Sequence, residues 1–310
     1  MKTTALRKKR TSLRSVLKSD GDLYLLMLPA IVLVLIFGYI PILSGLTMAF
    51  QEFDIMDGFF GSPWVGLAQF ERVFTDSYFY RVLWNSFIIS VMKLVITFPL
   101  PILLAILIDQ LRNILFKRTI QTLIYLPHFL SWSIVYGIFL AILGYDGPVN
   151  QFLALFGLEK IPFFVTPSVF RGVLVTSEAW KEVGWGTIIY LSALTAIDPG
   201  LYDAAKIDGA SKINQILHVT LPELVPTIMV MLVLRLGGLL SAGFEQILIM
   251  YNPSVYDVAD VIDTYVYRSG IGQLEFSYGA AVGLFNSVVS FALVITSNLI
   301  AKKKFGRSIW

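Results

Sequence analysis

The sequence predicts an all-α membrane protein with six transmembrane helices and a helix–turn–helix loop between the fourth and the fifth. Three observations carry that expectation. Hydrophobic residues make up 56 % of the chain and charged residues 15 %, whereas soluble domains are about a quarter charged. The apolar residues gather in blocks of about 20 or more, the length a helix needs to cross ~30 Å of hydrocarbon. Lysine and arginine are shared unevenly among the connections, which sets an orientation.

The first block, about Leu23–Phe50, holds Pro29 and Pro41. The tail before it carries Lys2, Arg7, Lys8, Lys9, Arg10, Arg14 and Lys18, with no acid among residues 1–18. A basic arm can bind nucleic acid. Directly ahead of a hydrophobic span it reads as a cytoplasmic end, and no nucleic-acid partner is expected. The block runs too far, and lacks an A-x-A-like site, for a cleaved signal peptide. Further blocks lie at about Val82–Ile108 (with Lys93, Pro99 and Pro101), Ile120–Gly144, Pro226–Met250 and Ser277–Ala301. Proline is tolerated in such spans where packed neighbours satisfy the freed backbone groups. A shorter block, Val183–Ile197, follows Glu178, Lys181 and Glu182.

That short block is required by charge. With the amino terminus inside, the connections expected in the cytoplasm hold sixteen Lys and Arg, and those outside hold five: Arg72, Arg81, Lys160, Arg171 and Arg268. The bias places both termini inside and demands an even number of spans. Without Val183–Ile197, the Lys302–Arg307 cluster would lie outside. The outer connections are rich in aromatic residues. One carries Asp257, Asp260 and Asp263 in alternation, but no glycine turn or terminal Glu follows at EF-hand spacing. A solvated face or a partner contact is the expectation there. The chain has no cysteine, hence no disulfide, thiolate zinc site or cysteine nucleophile. His128 and His218 have no metal partner at useful spacing and read as structural.

The loop between the fourth and fifth blocks is the most informative segment. Asp198-Pro199 is an N-cap followed by proline at the first helical position. Leu201, Ala204, Ala205 and Asp208 recur at helical spacing, and Gly209 ends a short helix. Ser211 caps a second helix, Lys212–Val219, which Pro222 is expected to stop. The product is a helix–turn–helix at the membrane surface, with a patch of small residues beside Asp203 and Asp208.

This segment resembles the "EAA" loop of ABC importer permeases: Glu-Ala-Ala, three residues, Gly, nine residues, then Ile-x-Leu-Pro. Here Asp203-Ala204-Ala205 precedes Gly209 by three residues, and nine residues later stand Val219, Leu221 and Pro222. Asp replaces Glu, and Val replaces Ile. The longer match through Tyr202, Asp208, Gly209 and Ala210, with Tyr251-Asn252-Pro253 and the run from Ser277 to Leu284, resembles permeases of complex oligosaccharide uptake in Gram-positive bacteria, the LplB-like group.

The resemblance implies an ABC type I importer permease fold in a bacterial cell membrane. Its divisions would be a basic tail at 1–22, a first span at 23–50, a permease core at 82–302 containing the coupling loop at 198–226, and a tail at 303–310. It implies four kinds of partner besides the lipid bilayer. These are a second, homologous permease forming a heterodimer, two cytoplasmic ATPase subunits, an extracellular substrate-binding lipoprotein and the sugar itself. The chain has no G-x-x-x-x-G-K-[ST] loop. It is therefore expected not to be an enzyme and to bind no cofactor, with ATP and Mg on the partner ATPase. Tyr202, Asp203, Ala204, Ala205, Asp208, Gly209, Ala210, Leu221 and Pro222 would dock in a cleft of that ATPase. Its closure would rock the helices between inward- and outward-open states.

Charged residues inside spans face the protein interior or water. Lys93 and Arg235 read as snorkelling side chains or a structural pair. Glu245, between Phe244 and Gln246 and after the glycines at 237 and 238, suits a sugar: directed hydrogen bonds beside an aromatic face. Family sugar sites lie on the last spans, which adds Asn286 and Ser287. Trp180, Trp185 and Tyr190 could stack on a sugar or form an interface belt. Other readings are an ABC permease for a non-sugar solute, an ion-coupled secondary transporter and an intramembrane enzyme. The enzyme lacks a HExxH, G-x-S-x-G or paired-carboxylate constellation. The secondary transporter would want more spans and an internal repeat.

Overall fold

The computed structural model describes residues 21–305, with side chains to residue 303. The expected basic tails fall largely outside those residues. Among the described residues, five helical segments are long and apolar enough to cross a membrane, one of them, Trp132–Leu155, made of two successive helices; a further long helix carries charge. In chain order, α1 is Gly21–Met48, α2 Ala68–Thr75 and α3 Ser77–Asp109. Then come α4 Ile114–Tyr125, α5 Trp132–Leu143, α6 Pro148–Leu155 and α7 Pro167–Thr195. After α8, Pro199–Ile207, follow α9 Lys212–Gly237, α10 Phe244–Met250, α11 Ile262–Val266 and α12 Phe276–Phe305. Among the described residues, β-structure is limited to one bridge between Gln51 and Trp64.

Polar caps mark the helix starts. Asp76 accepts the Tyr78 N–H at 2.8 Å, and Asn113 that of Phe116 at 3.1 Å. Each satisfies one of the donors a helix leaves bare at its first turn.

The third expected span is not one helix. Pro127 sits in a tight turn over Leu126–Phe129, and Leu130 is extended, so α4 and α5 are separate pieces. A proline has no N–H to donate to the preceding turn; Leu126 stays helical at φ −54° and ψ −44°, and the chain leaves the helix at Leu130. The stretch expected as the fourth span, Val183–Ile197, falls, up to Thr195, within a far longer helix. It is the 29-residue α7, which takes Glu178, Lys181 and Glu182 into its interior-facing side. The fifth span breaks after Gly237 and resumes at Phe244, past Gly243, whose φ is +96°. Pro222 does not stop the second loop helix. A wide turn at Ile216–Thr220, where the Leu221 N–H reaches back to Ile216 O, makes room for the proline ring. The chain then runs unbroken into α9.

α7 is the centre of the bundle. Toward one end it packs Phe170 and Leu174 with Ile89, Phe139 and Ile247. Toward the α8 end it packs Tyr190 and Leu194 with Ile102, Ala105 and Leu224. Lipid tails are as apolar as these side chains, so close packing rather than water exclusion holds such helices together. Gly184 shows how close: a Cβ there would stand 1.8 Å from the Ile124 carbonyl oxygen in α4. By contrast, α1 has no buried residue.

The expected solvated row of acids is divided among three environments. Asp257 pairs with Arg81 at the surface. Asp260 is fully buried, accepting from Tyr78 OH and Thr264 Oγ1, each at 2.8 Å, and pairing with Arg268. It ties the segment after α10 to the start of α3. Asp263 faces a cavity.

Candidate coupling loop and substrate path

Helix α8 begins where Asp198 Oδ1 accepts the Gly200 N–H at 2.9 Å. It ends in a Schellman motif: Ala210 N–H donates to Ala205 O at 2.9 Å and Gly209 N–H to Lys206 O at 3.0 Å. Gly209 takes φ +77°, a region that costs glycine nothing. Tyr202 turns inward. Its hydroxyl lies 3.0 Å from Thr220 Oγ1, and its ring packs on the core beside Leu221. The remaining surface faces out. Ala204, Asp208, Gly209 and Pro222 are exposed, and Ala205 and Ala210 are half-buried. Asp203 spends its charge on Lys206 at 2.9 Å. Around them Leu201, Ile207, Ile213 and Leu217 are bare, Ile207 to 87 %. Four apolar side chains are thus gathered, uncovered, on one loop.

A cavity of about 660 Å³ lies among α10, α11 and α12. Phe244, Asn286 and Ser287 line it, with Asp263 and Tyr267. The Phe244 and Tyr267 rings meet edge-on at 5.6 Å. Asn286 Nδ2 donates to Asp263 Oδ1 at 3.4 Å, while its Oδ1 is buried with no hydrogen-bond partner among the described residues. Burial pushes the Asp263 carboxyl above its ordinary value. Glu245 does not line this cavity; it is exposed one residue along.

A buried charge cluster sits where α3, α7 and the α9–α10 break meet. Lys93 Nζ approaches Glu178 Oε2 at 2.5 Å, Ala242 O at 2.6 Å and Gln246 Oε1. Three acceptors thus surround the three protons of an ammonium. Gln246 also donates to Leu174 O at 2.7 Å and Ser177 Oγ at 2.8 Å. The helix break supplies the Ala242 carbonyl. Gly243 keeps that approach open, since a Cβ there would lie 2.9 Å from Lys93 Nζ. Arg235 reaches the other Glu178 oxygen at 3.5 Å. Beyond it, a second cavity of about 330 Å³ is lined by Thr97, Glu182, Trp185, Tyr190 and Arg235, among others.

Residues 97–305 match the family described as the binding-protein-dependent transport system inner membrane component. The chain belongs to that family. It is 43 % identical over 298 residues to the polygalacturonan/rhamnogalacturonan transport system permease protein YteP of Bacillus subtilis, covering 96 % of this chain and 92 % of that one. It is 42 % identical to Protein LplB of the same organism, over 95 % and 93 %. A solved bacterial ABC transporter involved in import of the acidic polysaccharide alginate superposes with a TM-score of 0.88. The two chains are 39 % identical, over 94 % of this chain and 99 % of that one. A bacterial alginate ABC transporter solved in complex with an alginate pentasaccharide-bound periplasmic protein superposes equally well, with a TM-score of 0.88 at 38 % identity over 96 % of this chain and 99 % of that one.

Within this permease the residues singled out from sequence divide. Phe244, Asn286 and Ser287 share one cavity. Tyr190 lines the other and is only 2 % exposed. Trp180 is partly exposed and packs edge-on to Phe139 at 5.9 Å, outside both linings. Gln246 is a correction: with no exposed surface and every amide atom engaged, it holds Lys93 rather than facing a cavity. Lys93 and Arg235 do form a structural group, but through Glu178, which sequence reading left at the edge of a span. Asp263, Tyr267 and Thr97 were not singled out as site residues. The signal for Glu178 was present: no proline interrupts the chain between Pro167 and Pro199.

Proposed function

We propose that this chain is the membrane-spanning subunit of an ABC importer that translocates an oligosaccharide delivered by an extracytoplasmic binding protein. It works beside a second permease and is driven by two ATPases that hold ATP and Mg. The observation that carries this reading is α8. It is a separately capped helix with bare apolar residues at one end of the bundle, on a chain whose relatives include polygalacturonan/rhamnogalacturonan and arabinooligosaccharide transport system permease proteins. The sixteen-to-five division of Lys and Arg supports six crossings, with α7 as the fourth, the termini and α8 in the cytoplasm, and a permease core at 82–302. Exposed side chains of α8 make the ATPase contact, while Tyr202 and Leu221 carry its motion into the bundle. The 660 Å³ cavity offers an aromatic pair, a carboxyl and an unpartnered amide oxygen, a set that suits sugar hydroxyls above a ring face.

The test is the assembled complex in proteoliposomes. Gly209→Val strains a left-handed turn and Ala205→Trp adds bulk beside the bare surface. Each is expected to insert normally, yet to lower ATPase co-purification or saccharide-stimulated hydrolysis by at least about tenfold, the effect of losing ~1.4 kcal/mol of coupling. Wild-type values for both variants would remove α8 as the coupling element.

A further inference from the structure

The charges at the centre of the bundle do not balance. Lys93, Lys181 and Arg235 face two carboxylates, Glu178 and Glu182. Glu182 is engaged by His128 Nδ1 at 2.8 Å and by Lys181 Nζ at 3.5 Å. Glu178 is held closely by Lys93. Arg235 is left with the far side of an already neutralised carboxylate, at a distance too long for a hydrogen bond. Its side chain is 48 % exposed and lines both the 330 Å³ cavity and a smaller one of about 100 Å³ on the Lys93 side. Helix spacing sets it about 21 Å beyond Leu221 along α9, and an uncompensated charge within a span is costly.

The walls around it are also unfinished. Thr97 Oγ1 in the larger of these two cavities and Ser90 Oγ in the smaller are buried without a hydrogen-bond partner among the described residues. Buried hydroxyls are nearly always paired. Trp185 stacks on His128 at 4.4 Å, and with Tyr190 it gives the same cavity an aromatic wall. A guanidinium with spare donors, an unpaired hydroxyl and aromatic rings in about 330 Å³ are complementary to one kind of ligand: a sugar ring bearing a carboxylate.

We infer that this cavity is a subsite for a uronic-acid residue, in which Arg235 pairs with the sugar carboxylate and selects acidic over neutral oligosaccharides. Planar guanidinium donors match both carboxylate oxygens. Binding would supply the anion that the Lys93–Glu178–Arg235 group lacks. The Phe244–Asn286 cavity contributes no such selection, because Asp263 is its charged lining residue and no cation lines it; in the Arg235 cavity the carboxylate of Glu182 is already engaged by His128 and Lys181.

The inference rests on the oligosaccharide reading, and the test separates the two. The assembled importer with its binding protein is reconstituted, and uptake of tetragalacturonate is compared with that of its fully methyl-esterified form. The wild type is expected to prefer the acid. Arg235→Gln is expected to lower the acid-to-ester ratio by about tenfold or more, the weight of a charge-assisted hydrogen bond. Arg235→Lys, which keeps the cation and the assembly, is expected to retain at least about a third of the preference, since an ammonium still pairs with a carboxylate as a point charge. A wild type that prefers the ester overturns the inference alone. So does a parallel fall of both rates in Arg235→Gln, which would assign Arg235 to a carboxylate of the second permease. A ratio that collapses fully in Arg235→Lys overturns it as well. A wild type stimulated by neither saccharide removes the oligosaccharide reading, and the inference falls with it.

Discussion

Helix α1 is the most apolar of the long helices and buries none of its residues against its own chain, whereas α7 carries Arg171, Glu178, Lys181 and Glu182 and buries thirteen of its 29 residues. The difference follows from the solvent each meets. A helix that faces hydrocarbon or another subunit has no internal partners for polar groups and must be apolar all round. A helix surrounded by its own bundle can hold charge, because neighbours supply counter-charges and hydrogen bonds. Charge within a span therefore marks integration here, while apolarity alone does not decide it: α3 is nearly as apolar as α1 and still packs Ile89, Ile102 and Ala105 into the cores around α7.

The sharpest way to break that comparison is to remove the group α7 uses to hold charge. Glu178→Ala leaves Lys93 without its carboxylate and Arg235 without any. Breaking a buried pair from one side costs about 3–5 kcal/mol, because a desolvated charge is stranded. The thermal midpoint of the purified chain in detergent is expected to fall by several degrees or the chain to fail to accumulate. Lys93→Met combined with Glu178→Leu is expected to cost less than Glu178→Ala alone. Equal losses would mean the site acts through volume rather than charge.

A smaller effect separates the same helices through backbone approach. Gly184 of α7 has the Ile124 carbonyl where a Cβ would be, while Gly45 of α1 has nothing within 4 Å. Gly184→Val must push α4 away, an overpacking cost of typically ~1–3 kcal/mol and occasionally more. Gly45→Val should be neutral in the single chain. Matched thermal scans of the two variants check this, and equal midpoints would show that α4 and α7 adjust freely.

The same contrast explains what the sequence could and could not disclose. α1, α3 and α12 were legible because long apolar runs are all a membrane demands of them. The caps at Asp198 and Ser211 and the turn at Gly209 were legible because local chemistry fixes them. α7 was shortened to Val183–Ile197, since its buried charges look like a surface flank until their partners on α3 and α9 are known. The breaks at Pro127 and at Gly237–Gly243 depend on which backbone groups neighbours can satisfy, as Lys93 does for Ala242 O. Gln246 was misplaced for a related reason: an amide beside Phe244 and Glu245 resembles a ligand group in one dimension, and only packing shows that its side chain points at Lys93.

The least perturbing change is on α1. Phe37 is 75 % exposed and Leu26 78 %. Truncating a residue that touches little changes stability by no more than about 0.5 kcal/mol, so Phe37→Ala and Leu26→Ala should leave the thermal midpoint of the single chain unmoved. A bare, strongly apolar helix still has to be covered, and lipid and a second permease would cover it differently. If the second permease does, the paired variant should lower its recovery on tagged purification of the complex while the single chain stays intact. If lipid does, recovery should hold at the wild-type level. A fall in the single-chain midpoint on the scale of Glu178→Ala would place α1 against its own bundle, and the contrast between α1 and α7 would be lost.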